Sequence, residues 1–146
     1  MLRKTDFYIN GQWVKPAAAN DYEVINPANE EAFALISLGS SSDVDLAVAA
    51  AFSAFPIWSI VPHQERIEKL KVLAEIYEAR ANEMADAIST EMGAPIKLAV
   101  NAQTAAGLEH IKSFIRALED FNFEHQLREN TPDEYIIHEP IGVCGL

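Results

Sequence analysis

The chain has 146 residues, 49% of them hydrophobic, and a mean hydropathy near zero. That length suffices for one folded domain with a core, and the composition excludes a disordered chain. A formal net charge of -11 opposes nucleic-acid binding, which needs a basic footprint, and reads as a solvated acidic surface.

No apolar run reaches the roughly 18 residues of a membrane span. The opening Leu2-Arg3-Lys4-Thr5-Asp6 is polar and shows no cleavage-like segment, which predicts a cytoplasmic protein with no membrane partner. The single cysteine, Cys144, excludes an internal disulfide and a multi-cysteine zinc site. His63, His110, His125 and His138 lie too far apart in sequence for metal-ligand spacing.

Phe7 to Val14 reads as a β-hairpin, because Asn10-Gly11 supplies the positive φ angles of a type I′ turn. Asp21 to Ile25 reads as a strand stopped by Asn26-Pro27, and Ala32 to Leu38 as another, ended by Gly39. Ser42 is the expected N-cap of a first helix, with Asp45 as its capping-box partner. The apolar stripe Val44, Ala47, Val48, Ala51, Phe52 and Phe55 follows helical spacing, and Pro56 is expected to close it.

Pro62 is placed to start a second helix, whose apolar face is Ile67, Leu70, Ala74 and Tyr77. Glu65–Lys69 and Lys71–Glu75 are its expected ion pairs. A third helix carries Met84, Ala85, Ile88 and Met92 and should stop at Gly93. Pro95 restarts a helix to about Phe121, with Ile111, Ile115, Leu118 and Phe121 apolar; Gly107 and nearby alanines allow a close approach to its middle. Beyond it the pattern is extended, with a turn at Asn130-Thr131-Pro132-Asp133, a strand from Glu134 to His138, and a small apolar strand opening at Val143.

No catalytic constellation emerges from the residues themselves. Cys144 lies between Val143 and Gly145, where a thiol behaves as a small hydrophobe. A catalytic Cys144 in a small hydrolase would need a base or cation beside it. His138 and Glu139 are strand neighbours that should point to opposite faces. Gly142-Val143-Cys144-Gly145 lacks the further glycine and following helix of a phosphate loop. Glu91, before Gly93, reads as a solvated helix end or a ligand, and Trp13 and Trp58 as packing residues.

Six motifs then recur in order: Tyr8-Ile9-Asn10-Gly11-Gln12-Trp13, Val24-Ile25-Asn26-Pro27-Ala28, Phe55-Pro56-Ile57-Trp58, Glu65-Arg66, Glu91-Met92-Gly93-Ala94-Pro95, and Glu139-Pro140-Ile141-Gly142-Val143-Cys144-Gly145-Leu146. In that order and spacing the chain resembles the amino-terminal segment of the NAD(P)-dependent aldehyde dehydrogenase superfamily. The resemblance implies an α/β fold. Residues 1–122 would be the strands and helices that pack on the cofactor domain, 123–141 part of the oligomerisation arm, and 142–146 the start of the first Rossmann-like strand, with Cys144 in its core. It implies NAD or NADP as cofactor, an aldehyde substrate oxidised through a cysteine thioester, and a homodimer or homotetramer in the intact protein.

In such proteins the oxyanion Asn, cofactor-binding Lys, Gly-rich turn, general-base Glu and nucleophilic Cys come after the stretch that Leu146 ends. No catalytic or cofactor-binding residue is therefore assigned here, and the segment alone is expected to be inactive. The resemblance carries over two faint sites. A structural monovalent cation would take the Ile25 carbonyl and Glu91, with a third ligand beyond Leu146. Gln103, Ala106 and Gly107 would face the substrate channel, and their neighbours' small size suggests a roomy one. The usual Gly-Lys-Pro reads Gly93-Ala94-Pro95 here. The alternative reading is a non-catalytic binding or scaffold domain derived from the same fold. On the fragment reading, Val143 to Leu146 should be extended with few strand partners.

Overall fold

The computed structural model describes residues 1–130 and 132–146. Thr131, in the middle of the expected turn before the last strand, lies outside the described residues. The elements are β1 (Leu2–Lys4), β2 (Phe7–Ile9), β3 (Gln12–Val14), β4 (Asp21–Asn26), β5 (Glu31–Ser37), α1 (Ser41–Trp58), α2 (His63–Ala79), α3 (Ala81–Met92), a short α4 (Ile96–Leu98), a π-helical segment (Ala99–Thr104), α5 (Ala105–Asp120), β6 (Glu124–Gln126) and β7 (Tyr135–Ile137).

The hairpin forms as expected. Asn10 (φ 52) and Gly11 (φ 76) make the turn, and Phe7 pairs with Val14 across β2 and β3. β4 and β5 pair antiparallel, with a bulge between Val24 and Ile25. The polar opening residues were not expected to be a strand. They form β1, which adds parallel to β5 in the order β1-β5-β4. Backbone pairing with a buried neighbour carries this strand, since its own side chains are exposed.

The first helix begins earlier than expected. Its N-cap is Ser40, not Ser42, and the capping box closes with Asp43, not Asp45. The reason lies in what else Asp43 does. One carboxylate oxygen accepts from the Ser40 N–H (2.8 Å) and the Ser40 hydroxyl (2.6 Å). The other accepts from the Ala17 N–H at 2.8 Å. A single buried carboxylate thus ties the link between β3 and β4 to the start of α1.

Pro56 does not close this helix, which runs two residues further. In the last turn the proline removes only its own N–H, and Ser59 N–H still reaches the Phe55 carbonyl (2.8 Å). The expected stripe is also not a buried one: Val44, Val48 and Phe52 are all exposed, as are Leu46 and Ile57 off it.

The core sits where α2 crosses α5. Ile67, Ala74 and Ile115 are buried there, with Leu70, Leu108, Ile111 and Leu118 packed around them. Arg66 holds the α1–α2 link, donating to the carbonyls of Val61 (3.0 Å) and Ser59 (3.1 Å) from 5.8 Å over the Trp58 ring. The Glu65–Lys69 pair forms at 3.1 Å. The Lys71–Glu75 pair does not; Lys71 turns to Glu68 (3.4 Å) and across to Glu119 on α5 (3.2 Å), which serves the helix pairing as well as the charge. In α3 only Ala85 of the expected face is buried, while Met84 and Met92 are exposed. The chain past Pro95 is one helical rod, but a π segment interrupts it where a plain α-helix was expected.

The β6–β7 hairpin closes the chain's described pairing, with Phe121, Phe123 and His138 in edge-on ring contacts at 4.7 and 5.2 Å. Val143 to Leu146 takes part in no strand among the described residues. Cys144 is exposed there, not in a core, because the stretch is paired into no sheet among the described residues. Trp13, expected to pack, is 70% exposed and leans on Tyr8 at 5.2 Å. No helix is long and apolar enough to cross a membrane among the described residues.

The hydrogen bonds from Ser40 and Ala17 hold the Asp43 carboxyl below its ordinary value of 3.8. A carboxylate depressed on folding stabilises the fold above its unfolded value and loses that contribution as pH falls through the folded one. Asp43→Asn is therefore expected to lower the melting temperature at neutral pH and to flatten the acid limb below about pH 4. Circular dichroism melts between pH 2 and 7 check this; an unchanged acid limb would contradict the assignment.

Candidate functional site

Three places gather the residues singled out above. The first is the junction of the β4–β5 turn with the end of α3. Asn26 shapes the turn: its side-chain oxygen accepts from Ala28 N–H (2.9 Å) and its carbonyl from Glu30 N–H (2.8 Å). The α3 helix stops at Gly93 in the left-handed conformation (φ 67). Ser89 fixes the chain beyond it by donating to the Ala94 carbonyl at 2.8 Å. Gly93 faces Pro27 so closely that a Cβ would sit 2.9 Å from the proline Cγ.

This contact brings the Ile25-to-Pro27 stretch and the Glu91-to-Gly93 stretch to one junction. Ile25 and Glu91 are both exposed, and the Glu91 carboxylate takes part in no hydrogen bond or ion pair among the described residues. An oxygen-coordinated cation takes about six ligands. One carboxylate and one carbonyl are too few for the ion, so these residues do not make a cation site by themselves. Among the described residues no group of three or more His, Cys, Asp or Glu is placed to hold a metal.

The second place is the π segment and the first turn of α5. Gln103 is half-buried, Thr104 is buried and Ala106 is exposed. The Gln103 Oε1 and Thr104 Oγ1 atoms are buried without a hydrogen-bond partner among the described residues. Gly107 owes its small size to the chain itself: a Cβ there would run into the Tyr77 hydroxyl. The close approach expected at this glycine is therefore made by Tyr77, and the exposed Ala106 offers the open surface.

The third is a groove of about 650 Å³ between the end of α1 and the β6–β7 hairpin. His138 and Glu139, expected to diverge, both line it, because they lie past the end of β7 where strand alternation no longer applies. Its only hydroxyl, on Ser59, donates to the Pro56 carbonyl at 3.1 Å. His63 and His138 meet phenylalanine rings, at 5.9 and 5.2 Å, rather than a nucleophile. Cys144 has a single weak contact, to the Gly142 carbonyl at 3.9 Å, so no base or cation activates it. No nucleophile–base pair exists among the described residues.

Nor do these residues fit a dinucleotide. That ligand's pyrophosphate needs a glycine-rich turn opening a helix, and Gly142 to Leu146 is irregular. Neither the π segment nor Tyr77 as the partner of Gly107 has a local signal, since both depend on how α2 crosses the rod.

Gly93→Ala is expected to cost about 1–2 kcal/mol for the left-handed backbone alone, and more from the Pro27 contact. Gly11→Ala, also at positive φ but with nothing within 4 Å of its Cβ, should cost less. Urea midpoints at unchanged slope check the order; equal losses would contradict the junction.

Comparison with known proteins gives one consistent result. The sequence profile of the aldehyde dehydrogenase family matches residues 13–146. A 3-succinoylsemialdehyde-pyridine dehydrogenase from a Pseudomonas species is 45% identical over 142 residues, which is 97% of this chain and 29% of that protein. The crystal structure of an aldehyde dehydrogenase from Bartonella henselae superposes with a TM-score of 0.87 at 49% identity, covering 89% of this chain and 27% of that one. An aldehyde dehydrogenase from Pseudomonas syringae, crystallised as a mutant with NAD+ and octanal, gives 0.81 at 38% identity, covering 83% and 25%. The chain thus spans under a third of the length of these relatives, in their amino-terminal part.

Proposed function

The chain belongs to the aldehyde dehydrogenase family, and from that premise we propose that it is the amino-terminal part of an enzyme that oxidises an aldehyde to a carboxylic acid with NAD(P)+. The observation that carries this reading is the match to under a third of each relative by a chain whose own surface is incomplete. Its accessible area is 11032 Å². A closed monomer of 16.1 kDa would expose about 7,400 Å². Val44, Phe52, Ile57 and Ile60 are among the apolar side chains exposed on this chain. A surface of that kind marks an interface.

The proposed partner for that surface is the remainder of the same fold. There the α1 face packs on the cofactor domain, and residues 123–141 form part of an oligomerisation arm in a homodimer or homotetramer. The nucleophilic cysteine, the general-base glutamate and the cofactor site belong to that remainder. NAD(P)+ held there would supply the hydride acceptor for the oxidation. The residues of this chain contribute position: Gln103 and Ala106 as channel wall, Ile25 and Glu91 as two ligands of a larger cation site, and the Gly93–Pro27 contact as their support. The Pseudomonas syringae enzyme's NAD+ and octanal support a nicotinamide cofactor and an aldehyde substrate for this one.

Mixed with NAD+ and an aldehyde, the 146-residue chain alone is expected to give no rise in NADH absorbance. Turnover by the pure chain would overturn the division of labour. Reading the coding sequence past the Leu146 codon separates the enzyme from a scaffold: an Asn-bearing loop followed by a Cys and a Glu supports the enzyme, and an immediate stop codon supports the scaffold.

A further inference from the structure

We propose that Tyr77 is a positioning residue for the helix wall that carries Gln103, Ala106 and Gly107. The inference rests on the reading, given above, that this wall faces the aldehyde.

A π turn holds one residue more than an α turn. Each such insertion rotates the helix beyond it by about 100° relative to the helix before. The point where the π segment ends therefore decides which side chains of the rod face a given direction. Here the return to α geometry falls at Thr104–Ala105, where the Ala105 N–H bonds three residues back, to the Ala102 carbonyl.

Tyr77 grips that junction from the neighbouring helix. Its hydroxyl donates to the Thr104 carbonyl at 3.1 Å. Its ring lies against Gly107, where an added Cβ would meet the hydroxyl and come within 3.0 Å of the ring Cζ. Tyrosine and glycine are thus matched in shape: the one reaches the carbonyl only because the other has no side chain.

The junction has no comparable support from its own side chains. Thr104 is 3% exposed, and its hydroxyl makes no back-bond to the preceding turn. The Gln103 Oε1 atom is buried and unpartnered as well. Among the described residues, the bond from Tyr77 is the one side-chain hydrogen bond made to the π segment. It comes from α2, whose Ile67 and Ala74 are packed into the core on the same helix face. A rigid helix therefore fixes the register of a rod whose local geometry is easily shifted.

Tyr77→Phe is the informative variant, because it keeps the ring over Gly107 and removes only the hydroxyl. Native-state amide exchange of the enzyme that carries this chain should speed up about fivefold from Val100 to Leu108, relative to the amides of α2. In the enzyme that carries this chain, the same change should raise KM for the aldehyde about fivefold at unchanged kcat. Unchanged exchange in that window overturns the proposal. So does faster exchange with an unchanged KM, since the junction would then be held without consequence for the substrate. Absence of aldehyde oxidation by the unmutated enzyme is a separate result; it overturns the functional reading, while the exchange ratio still decides whether Tyr77 holds the junction.

Discussion

The apolar surface of α1 has no cover within this chain, and most of the architecture follows from that. Leu46, Val48 and Phe52 are exposed, and so are Ile57 and Trp58 at its end. A helix that is apolar on several sides is a buried helix in a finished fold. Among the described residues, the buried apolar set is Ala34, Leu35, Ile67, Ala74, Ala85, Ala99 and Ile115. Four of these are alanines, which bury little area each, and Ile67 alone is a large side chain removed from water completely.

What order there is depends on polar fastenings at a few points. Asp43 binds the start of α1 to the β3–β4 link, Arg66 ties down the α1–α2 link, and Tyr77 joins α2 to the rod. Asp43 and Arg66 place α1 without burying its apolar side, whereas Tyr77 acts beside the core that α2 and α5 bury between them. That is the arrangement expected of a surface waiting for the rest of its fold. The groove beside His138 has rings, an arginine and a glutamate, but its hydroxyl is already engaged with a carbonyl.

Local chemistry was legible in the sequence where a residue's own backbone decides the outcome. Asn10-Gly11 and Gly93 adopt the positive φ angles their types predict. The α2 and α5 faces, written as Ile67, Ala74 and Ile115, meet as their spacing requires. Local signals are overridden where a distant partner intervenes. Ser42 had the right chemistry for a cap, but Ala17 draws Asp43 into the box and shifts the start to Ser40. Lys71 leaves Glu75 for a carboxylate on another helix. The polar β1 is a strand only because β5 is beside it. Gly107 was legible as a place of close approach, yet not as the seat of Tyr77. The family motifs identified the fold, because order and spacing survive where single residues are ambiguous.

The central claim is that these faces are complete only with the remainder of an aldehyde dehydrogenase fold. Binding of the dye ANS by the isolated chain at neutral pH, alongside its far-ultraviolet circular dichroism, tests it most directly. Strong dye fluorescence together with a helical spectrum is expected, because the helices form while their apolar faces stay open to water. A helical chain that binds no dye and unfolds in urea with the slope of a closed domain of its size would contradict it.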